Sequence, residues 1–255
     1  MKTSPYWINL VLAGALATTA LSAGSNAVLD DMQEGEALAR LMRRQVLAAE
    51  VAGVLRLEHD SKDSGMIPVA IHTLEGAAGF DVIYETLASD SDRAQTLVVQ
   101  HREGLAPLYR LSRKVADDHG VLQEETVELA GEQTMIPFAG SDFWIADLGR
   151  EFYYWPHQRV LRNHKRKMRR GRACHVLESK NTDTTPRGYA RVLSWIDREH
   201  NGIVVAEFYD AGGRKIKEFK PIVFKKVNGV MAPQELRMRN RVAKTQTRLL
   251  LQHRE

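Results

Sequence analysis

The sequence predicts a mainly β protein of the α+β class: a single curved antiparallel sheet, or unclosed β-barrel, of about ten or eleven strands covered by helices. Two observations carry this prediction. Near the N-terminus, one segment places its apolar residues with the spacing of an amphipathic helix. Through most of the remaining chain, short β-branched runs alternate with a period of two and are separated by Gly, Asp and Ser.

The first residues have the layout of a secretory signal peptide. Lys2 precedes an uncharged stretch from Ile8 to Ala23, which is too short and too rich in Ala, Thr and Gly to span a membrane. Small residues follow from Ser25, so we predict cleavage after Ala27 and export of the chain. Cleavage after Ala23 is the second choice, and an uncleaved N-terminal anchor is the alternative.

Residues 28–255 are predicted to form a single domain with an ordinary hydrophobic core. Hydrophobic residues make up 44% of the chain and charged residues 27%, which is the composition of a globular protein. Cys174 is the only cysteine in the sequence. No internal disulfide can therefore stabilise the fold.

Charge divides the exported chain into two halves. Residues 28–150 carry a formal charge of −11, and residues 151–255 carry +14. A bipolar molecule would present its basic side to an anionic partner such as lipid head groups. Alternatively, the two halves interleave in one sheet and neutralise each other across neighbouring strands.

A helix is predicted from Asp30 to Glu50. Its apolar residues recur at i, i+3, i+4 and i+8 and form one face, made of Leu38, Leu41, Met42 and Val46. Asp31 and Glu34 resemble a capping pair at the start of this helix.

Strands are predicted on both sides of one interruption. The N-terminal strands lie in "VAGVLRLEH", "IPVAIHTLEG", "FDVIYETLAS", "QTLVVQHREG" and "LAPLYRLSR". The C-terminal strands lie in "EFYYWPHQRVL", "RNHKRKMRRGRACHVLE", "YARVLSWID", "GIVVAEFYDAGGRKIKEFK", "IVFKKVNGVMAPQELRMRN" and "TQTRLLLQ". The interruption, "PFAGSDFWIADL", predicts a helical turn capped by Ser141 or Asp142. Tight hairpin turns are predicted at Gly212-Gly213 and Asn228-Gly229, because these residues tolerate positive φ angles.

The stretch "RNHKRKMRRGRACHVLE", residues 162–178, places a dense cationic run beside an apolar strand. A nucleic-acid patch would explain such a run in a cytosolic protein, but export disfavours that function. We predict a solvated basic rim that attracts phosphate head groups or an acidic partner, made of Arg162, Lys165, Arg166, Lys167, Arg169 and Arg170. A turn that merely keeps the sheet edge soluble is the alternative.

An apolar pocket is predicted from aromatic and helical residues. Ligand pockets are concave and rich in aromatic side chains, and the candidates are Phe143, Trp144, Trp155, Trp195, Phe208 and Tyr209. On the helix, Leu38, Leu41 and Met42 are candidates for a lid over the pocket mouth. Ordinary core packing is the alternative for each of these residues.

Five segments between Gly140 and Leu251 resemble the LolA-like family of outer-membrane lipoprotein-sorting proteins, within the superfamily of LolA, LolB and RseB/MucB-type periplasmic proteins. In chain order they are "GSDFWIADL", "GRACHVLES", "YARVLSWIDREHNGIVVAEFYDAGGRKIKEFK", "VNGVMAPQELRMRN" and "KTQTRLLL". The N-terminal half matches the family only in its order of signal peptide, helix and strands.

This resemblance implies an unclosed half-barrel over residues 28–255, with an apolar concave side covered by helices that forms a pocket for acyl chains. The implied function is a periplasmic carrier that shields the acyl chains of a lipoprotein or lipid during envelope transport. Candidate partners are an envelope transporter or an outer-membrane acceptor, with peripheral membrane contact and without nucleic acid. An RseB/MucB-like sensor or adaptor, which binds a protein partner through the basic rim, is the alternative.

Catalytic and metal-binding motifs are missing from the sequence. The chain contains no G-x-S-x-G, H-E-x-x-H, P-loop or C-x-x-C pattern. Cys174 and His175 point to opposite faces of a predicted strand, and the histidines lack the spacing of a zinc site. We therefore predict no enzymatic activity, no metal and no cofactor. A secreted hydrolase with an unrecognised site is the remaining alternative.

Overall fold

A computed structural model of the protein describes residues 17–45, 50–59, 62–87, 94–116, 119, 121–164, 167–182, 188–227 and 230–253. Two α-helices are present in this part of the chain, α1 (Ala17–Arg43) and α2 (Ile145–Leu148). The strands are β1 (Glu50–His59), β2 (Lys62–Gly76), β3 (Gly79–Thr86), β4 (Gln95–Arg102), β5 (Leu108–Ala116), β6 (Leu122–Leu129), β7 (His157–Val160), β8 (Met168–Arg169), β9 (Arg172–Lys180), β10 (Arg191–Asp197), β11 (Ile203–Tyr209), β12 (Lys215–Val227), β13 (Val230–Asn240) and β14 (Thr245–His253).

The strands form one antiparallel sheet that does not close. Its order is β6-β5-β4-β3-β2-β1-β14-β13-β12-β11-β10-β9-β7, and the short β8 pairs with β9. One meander, β1 to β6, runs outward from the centre, and a second meander, β9 to β14, returns to it. The predicted fold class is confirmed as mainly β, antiparallel and unclosed. The strand number is 14 rather than ten or eleven.

The two meanders separate the acidic and basic halves of the chain. Strands β1 to β6 lie within residues 50–129 and strands β7 to β14 lie within residues 157–253. Among the described strands, the two sets pair only at β1 and β14. Across this seam, Arg248 Nε lies 2.9 Å from Glu58 Oε1. The interleaving interpretation is therefore wrong, because the neighbours of most strands come from the same half of the chain.

Helix α1 differs from its predicted boundaries. It ends at Arg43 rather than Glu50, and Val46 lies outside the described residues. It begins at Ala17 and so runs through the predicted cleavage position. The proposed capping pair is wrong, because Asp31 and Glu34 lie inside the helix and pair with Arg162.

Helix α2 is the helical turn predicted in residues 137–148, with a different cap. Its N-cap residue is Trp144 rather than Ser141 or Asp142. The backbone N–H of Trp144 donates to Asp147 Oδ2 over 2.8 Å. Asp147, at the third helical position, therefore makes the half of a capping box in which a carboxylate reaches back to the N–H of the N-cap residue.

The hairpin between β11 and β12 is confirmed. Gly213 has φ 75°, and its N–H donates to the carbonyl of Asp210 over 3.0 Å. The other predicted turn, Asn228-Gly229, lies outside the described residues. The strands on either side of it pair from Val227↔Val230 onward.

The two faces of the sheet carry different covers. The inner face holds the large buried cluster, which includes Leu55, Ile71, Leu97, Phe208 and Leu249. It is covered by α1 and by the crossover segment, residues 130–156, which joins β6 to β7. The outer face holds a smaller cluster made of Cys174, Val176, Leu193, Trp195, Val204 and Val205. Helices thus cover less of the sheet than predicted, because the irregular crossover segment takes their place.

Candidate functional site

A cavity of about 460 Å³ lies on the inner face, between the crossover segment and the strands. Val82 and Tyr84 of β3 line it together with Phe219 of β12. Four strands separate β3 from β12 in the sheet. Since neighbouring strands lie roughly 5 Å apart, the sheet must curve to bring these side chains to one cavity.

Most of the cavity wall is carbon. The apolar lining residues are Val82, Tyr84, Phe143, Leu148, Phe152, Ile203, Phe208, Phe219, Pro221, Phe224, Met231, Pro233, Leu236, Met238 and Leu249. Phe208 and Met238 are each 1% exposed, whereas Phe224 is 45% and Met231 57% exposed. The cavity therefore runs from a buried apolar end to an open end at β12 and β13.

Aromatic contacts hold the crossover segment against the strands. Phe143 meets Phe219 edge to face with ring centroids 6.4 Å apart, and Phe152 meets Phe208 in the same way at 5.5 Å. Such pairs contribute about 0.5–1.5 kcal/mol beyond area burial. The crossover segment is thus packed into the sheet on one side and forms a cavity wall.

A buried ion pair lies beside the cavity. Lys217 of β12 is 1% exposed at its side chain, and its Nζ lies 3.4 Å from Asp147 Oδ2 and 2.8 Å from the carbonyl oxygen of Asp142. The Tyr189 hydroxyl donates to both Asp147 carboxylate oxygens, at 2.9 and 3.0 Å. Burial raises the pKa of Asp147 and lowers the pKa of Lys217 to about 8.

Lys217 also contacts two aromatic faces. Its Nζ lies 3.5 Å from the ring centroid of Trp144 and 5.4 Å from that of Tyr189. These two rings stack with centroids 4.6 Å apart. The ammonium group therefore has a cation–π contact in addition to its carboxylate partner.

A second polar group reaches the cavity at His101 of β4. Its ring stacks on Phe80 with centroids 4.5 Å apart, and Nδ1 lies 2.9 Å from the Tyr154 hydroxyl. Burial, assisted by the nearby Arg150 guanidinium, lowers the pKa of His101 to about 3. The imidazole is therefore neutral at physiological pH.

Arg150 holds the end of α1 at the same site. Its Nη1 donates to the carbonyl of Met42 over 2.8 Å, and its Nη2 donates to the carbonyl of Arg43 over 3.3 Å. These are carbonyls that the last turn of a helix leaves without an intrahelical partner. Arg150 therefore joins the crossover segment to α1 beside the cavity.

The predicted aromatic residues divide between the two faces. Phe143 and Phe208 line the cavity. Trp144 packs beside Lys217, and Trp155 is buried in the inner-face cluster. Trp195 and Tyr209 instead belong to the outer-face cluster, because the period of two along β10 and β11 turns them away from the cavity.

The predicted lid residues lie on α1 at different depths. Met42 is buried in the inner-face cluster, and Leu38 packs against it. Leu41 is 40% exposed. From this end of the chain, the residue that lines the cavity is Gln45, which follows the helix.

The predicted basic rim is largely paired within the molecule. Arg162 pairs with Asp31 and Glu34 of α1. Arg169 Nη2 lies 2.5 Å from Glu207 Oε1, and its guanidinium covers the Trp195 ring at 4.4 Å. The remaining rim residues are an exposed Lys167, Arg170, which donates to the carbonyl of Pro221, and Lys165 and Arg166, which lie outside the described residues.

Among the residues that the structure describes, one cluster could offer ligands to a metal ion. Ligand atoms of Asp197, Glu199 and His200 lie within 4.8 Å of one another. The Asp197 carboxylate already pairs with Arg172 and accepts from the backbone N–H of Glu199. This carboxylate is therefore neutralised by protein groups, and we assign it no metal.

Sequence reasoning missed the polar groups at the cavity. Alternation along β4 places His101 on the same face as Leu97 and Val99, which was an available signal. Lys217 shares a face with Phe219 in the same way, although it is one of three lysines within six residues. The ion pair of Asp147 carried no local signal, because its partners Lys217 and Tyr189 are distant in sequence.

Comparisons with known proteins support the fold. A family model described as "Uncharacterized protein" matches residues 123–255. Curated proteins show no match to the chain. A solved domain from Vibrio parahaemolyticus, assigned to outer membrane lipoprotein sorting, has 18% identity and a TM-score of 0.67, covering 87% of this chain and 92% of that chain.

Two further solved structures are similar. A DUF1329 family protein from Desulfovibrio piger has 13% identity and a TM-score of 0.67, covering 88% of this chain and 92% of that chain. A LolA superfamily protein from Nitrosomonas europaea has 17% identity and a TM-score of 0.61, covering 86% and 91%. The LolA-like resemblance read from the sequence is thus confirmed at the level of the fold. Within the described residues, neither helix has the length and apolar character needed to cross a membrane.

Proposed function

Because the chain belongs to the family whose model matches residues 123–255 and has the LolA-superfamily fold, we propose that it is a carrier that shields acyl chains of a lipoprotein or lipid. The single observation that carries this proposal is the carbon-lined cavity of about 460 Å³ on the inner face. Cavities of this size and lining are typical of apolar ligand sites. We place the carrier in the periplasm, after removal of residues 1–27.

Apolar burial supplies the binding energy in this proposal. Each methylene transferred from water to the cavity contributes about 0.8 kcal/mol, and no chemical step is required. The crossover segment already covers part of the inner face with Phe143 and Phe152. This cover leaves less apolar surface for cargo, which keeps the net affinity moderate and permits release.

The pairing of the basic rim favours a carrier over an adaptor. An adaptor would use this rim to contact an acidic partner, yet Arg162 and Arg169 are engaged by Asp31, Glu34 and Glu207 of the same chain. A new partner would first have to break these internal ion pairs, and the free energy lost in doing so would offset the binding energy that the partner supplies.

Retained lipid and probe displacement test the proposal. We expect protein purified from the periplasm to carry lipid that native mass spectrometry detects. We also expect it to bind a fluorescent naphthylamine dye that long-chain acyl compounds displace and short-chain ones do not. Protein without retained lipid, together with dye binding that acyl chains leave unchanged, would contradict the carrier function.

A further inference from the structure

Strands β12 and β13 continue as a backbone-paired hairpin beyond the point where each stops pairing with its other neighbour. β11 pairs with β12 only from Lys215 to Phe219, and β14 pairs with β13 only from Glu235 to Asn240. Within residues 220–227 and 230–234, β12 and β13 pair only with each other among the described strands. We call these residues the ribbon. Beside β13, the side chain of His253 at the end of β14 lies with its Nε2 2.6 Å from the carbonyl oxygen of Pro233.

The ribbon combines exposed apolar side chains with cations. Val223, Phe224 and Met231 are 41%, 45% and 57% exposed, and Lys225 and Lys226 are also exposed. The sequence from Lys220 to Gln234, "KPIVFKKVNGVMAPQ", contains three lysines and no Asp or Glu, and the first of these lysines pairs with Glu218 of the same strand. Exposed apolar patches on soluble domains mark interaction sites. The positive charge of this patch is complementary to an anionic partner.

Two prolines disfavour a partner that adds a strand to the ribbon. Pro221 of β12 and Pro233 of β13 have no N–H to donate to a further strand, and prolines at such positions block edge-to-edge pairing. A lipid surface needs no backbone hydrogen bonds. Apolar side chains flanked by lysines match the acyl boundary and phosphate layer of an anionic bilayer.

We propose that the ribbon docks on an anionic lipid bilayer. Phe224 and Met231 lie at the boundary between head groups and acyl chains, and Lys225 and Lys226 contact lipid phosphates. Arg170, whose guanidinium donates to the carbonyl of Pro221, adds a cation at the base of the ribbon. This surface is separate from the predicted rim residues Arg162 and Arg169, which are paired with acids of the same chain.

Docking would place the open end of the cavity at the membrane surface. Phe224, Met231 and Pro233 of the ribbon line the open end of the cavity. An acyl chain leaving the bilayer could therefore enter the cavity along the ribbon without crossing bulk water. This consequence rests on the proposed function, whereas docking itself does not depend on what the cavity binds.

Co-sedimentation with vesicles tests docking. We expect the full chain to sediment with phosphatidylglycerol vesicles, to release as salt rises, and to remain in solution with phosphatidylcholine vesicles. The variant K225Q/K226Q should bind about fivefold more weakly for each lysine lost. The matched control, V242S/K244Q, changes an exposed valine and lysine in the turn at the opposite end of β13, and it should bind as the unaltered protein does.

Several results would overturn the proposal. The unaltered protein could fail to bind phosphatidylglycerol vesicles. K225Q/K226Q could bind them as tightly as the unaltered protein does, or the control variant could lose as much binding as K225Q/K226Q. Self-association that requires the two lysines, without vesicle binding, would assign the ribbon to a second copy instead. Displacement of the naphthylamine dye by acyl chains should be unchanged in K225Q/K226Q, so failure of docking and failure of the carrier function are measured separately.

Discussion

Lys217 of β12 and Asp147 of α2 form an ion pair that is almost completely withdrawn from solvent, with side chains 1% and 3% exposed. Removing two charges from water costs several kcal/mol for each ion unless further partners compensate. Here the Tyr189 hydroxyl and the Trp144 N–H donate to Asp147, and the carbonyl of Asp142 accepts from Lys217. The pair therefore fixes α2, and with it one wall of the cavity, to the sheet.

Removing one charge of this pair should destabilise the fold strongly. Lys217→Met leaves the Asp147 carboxylate buried without a counterion, which costs about 3–5 kcal/mol. The double variant D147N/K217M removes both charges, so it should lose less stability than the two single variants together, with a coupling of about 1–3 kcal/mol. Urea unfolding monitored by tryptophan fluorescence measures the stability of Lys217→Met, Asp147→Asn and the double variant. Lys167→Met, at an exposed position, is the control. A double variant whose loss of stability equals the sum of the two single losses would contradict the coupling.

His101 should make the fold sensitive to acid. Burial holds its pKa at about 3, below the ordinary value of 6.5, so the unfolded chain accepts a proton that the folded chain does not. The stabilising contribution is complete above pH 6.5 and is lost as the pH falls toward 3, at about 1.4 kcal/mol per pH unit. The variant His101→Phe removes this dependence.

Urea midpoints at pH 7, 6, 5 and 4 check the prediction. Between pH 6 and 4, the unaltered protein should lose stability more steeply than His101→Phe. The control His200→Phe changes an imidazole that is 56% exposed and should follow the unaltered protein. Parallel pH profiles for all three proteins would show that His101 is not the group responsible.

The strands could be predicted where their side chains alternate between core and solvent. The turn at Gly212-Gly213 was equally readable, because its backbone needs a positive φ angle at Gly213. β6 was missed because its residues from Leu122 to Thr126 are all exposed. An edge strand with little to bury has no reason to carry an apolar period of two.

The cavity wall could not be predicted in the same way. The crossover segment consists of short turns, and its position depends on contacts such as Phe143 with Phe219 that are distant in sequence. No local pattern reports such contacts. The same limit applies to the aromatic residues. Trp195 and Phe208 were equal candidates in the sequence, and only the position of each strand in the sheet shows that Phe208 lies on the inner face and Trp195 on the outer face.

Gly35 should be required for α1 to pack on β7. A Cβ at this position would lie 2.6 Å from the backbone nitrogen and Cα of Arg159. Alanine favours an isolated helix by about 1 kcal/mol over glycine, yet Gly35→Ala should destabilise the protein by about 2 kcal/mol, because the clash is with backbone. Thermal unfolding and hydrogen exchange of the α1 amides measure the effect.

The control for Gly35 lies on the same helix. Ala37 is exposed, so Ala37→Val adds side-chain carbon without a clash and should cost less than about 0.7 kcal/mol. Faster amide exchange confined to α1 in Gly35→Ala would show that the helix has separated from β7. An unchanged or raised stability in Gly35→Ala would mean that helix propensity outweighs the close approach.

Filling the cavity should abolish acyl binding without unfolding the protein. Leu236 of β13 is partly buried and lines the cavity, so Leu236→Trp places a larger ring in the space that an acyl chain would occupy. Leu250 of β14 alternates with the inner-face residues Leu249 and Leu251, which places it on the outer face. Leu250→Trp is therefore a control of identical chemistry on the opposite side of the sheet.

We expect Leu236→Trp to retain no lipid in native mass spectrometry and to weaken dye binding at least tenfold, since losing two buried methylenes already costs about 1.6 kcal/mol. Leu250→Trp should bind as the unaltered protein does. Equal dye binding by both variants, with unfolding midpoints near that of the unaltered protein, would show that the ligand does not enter this cavity.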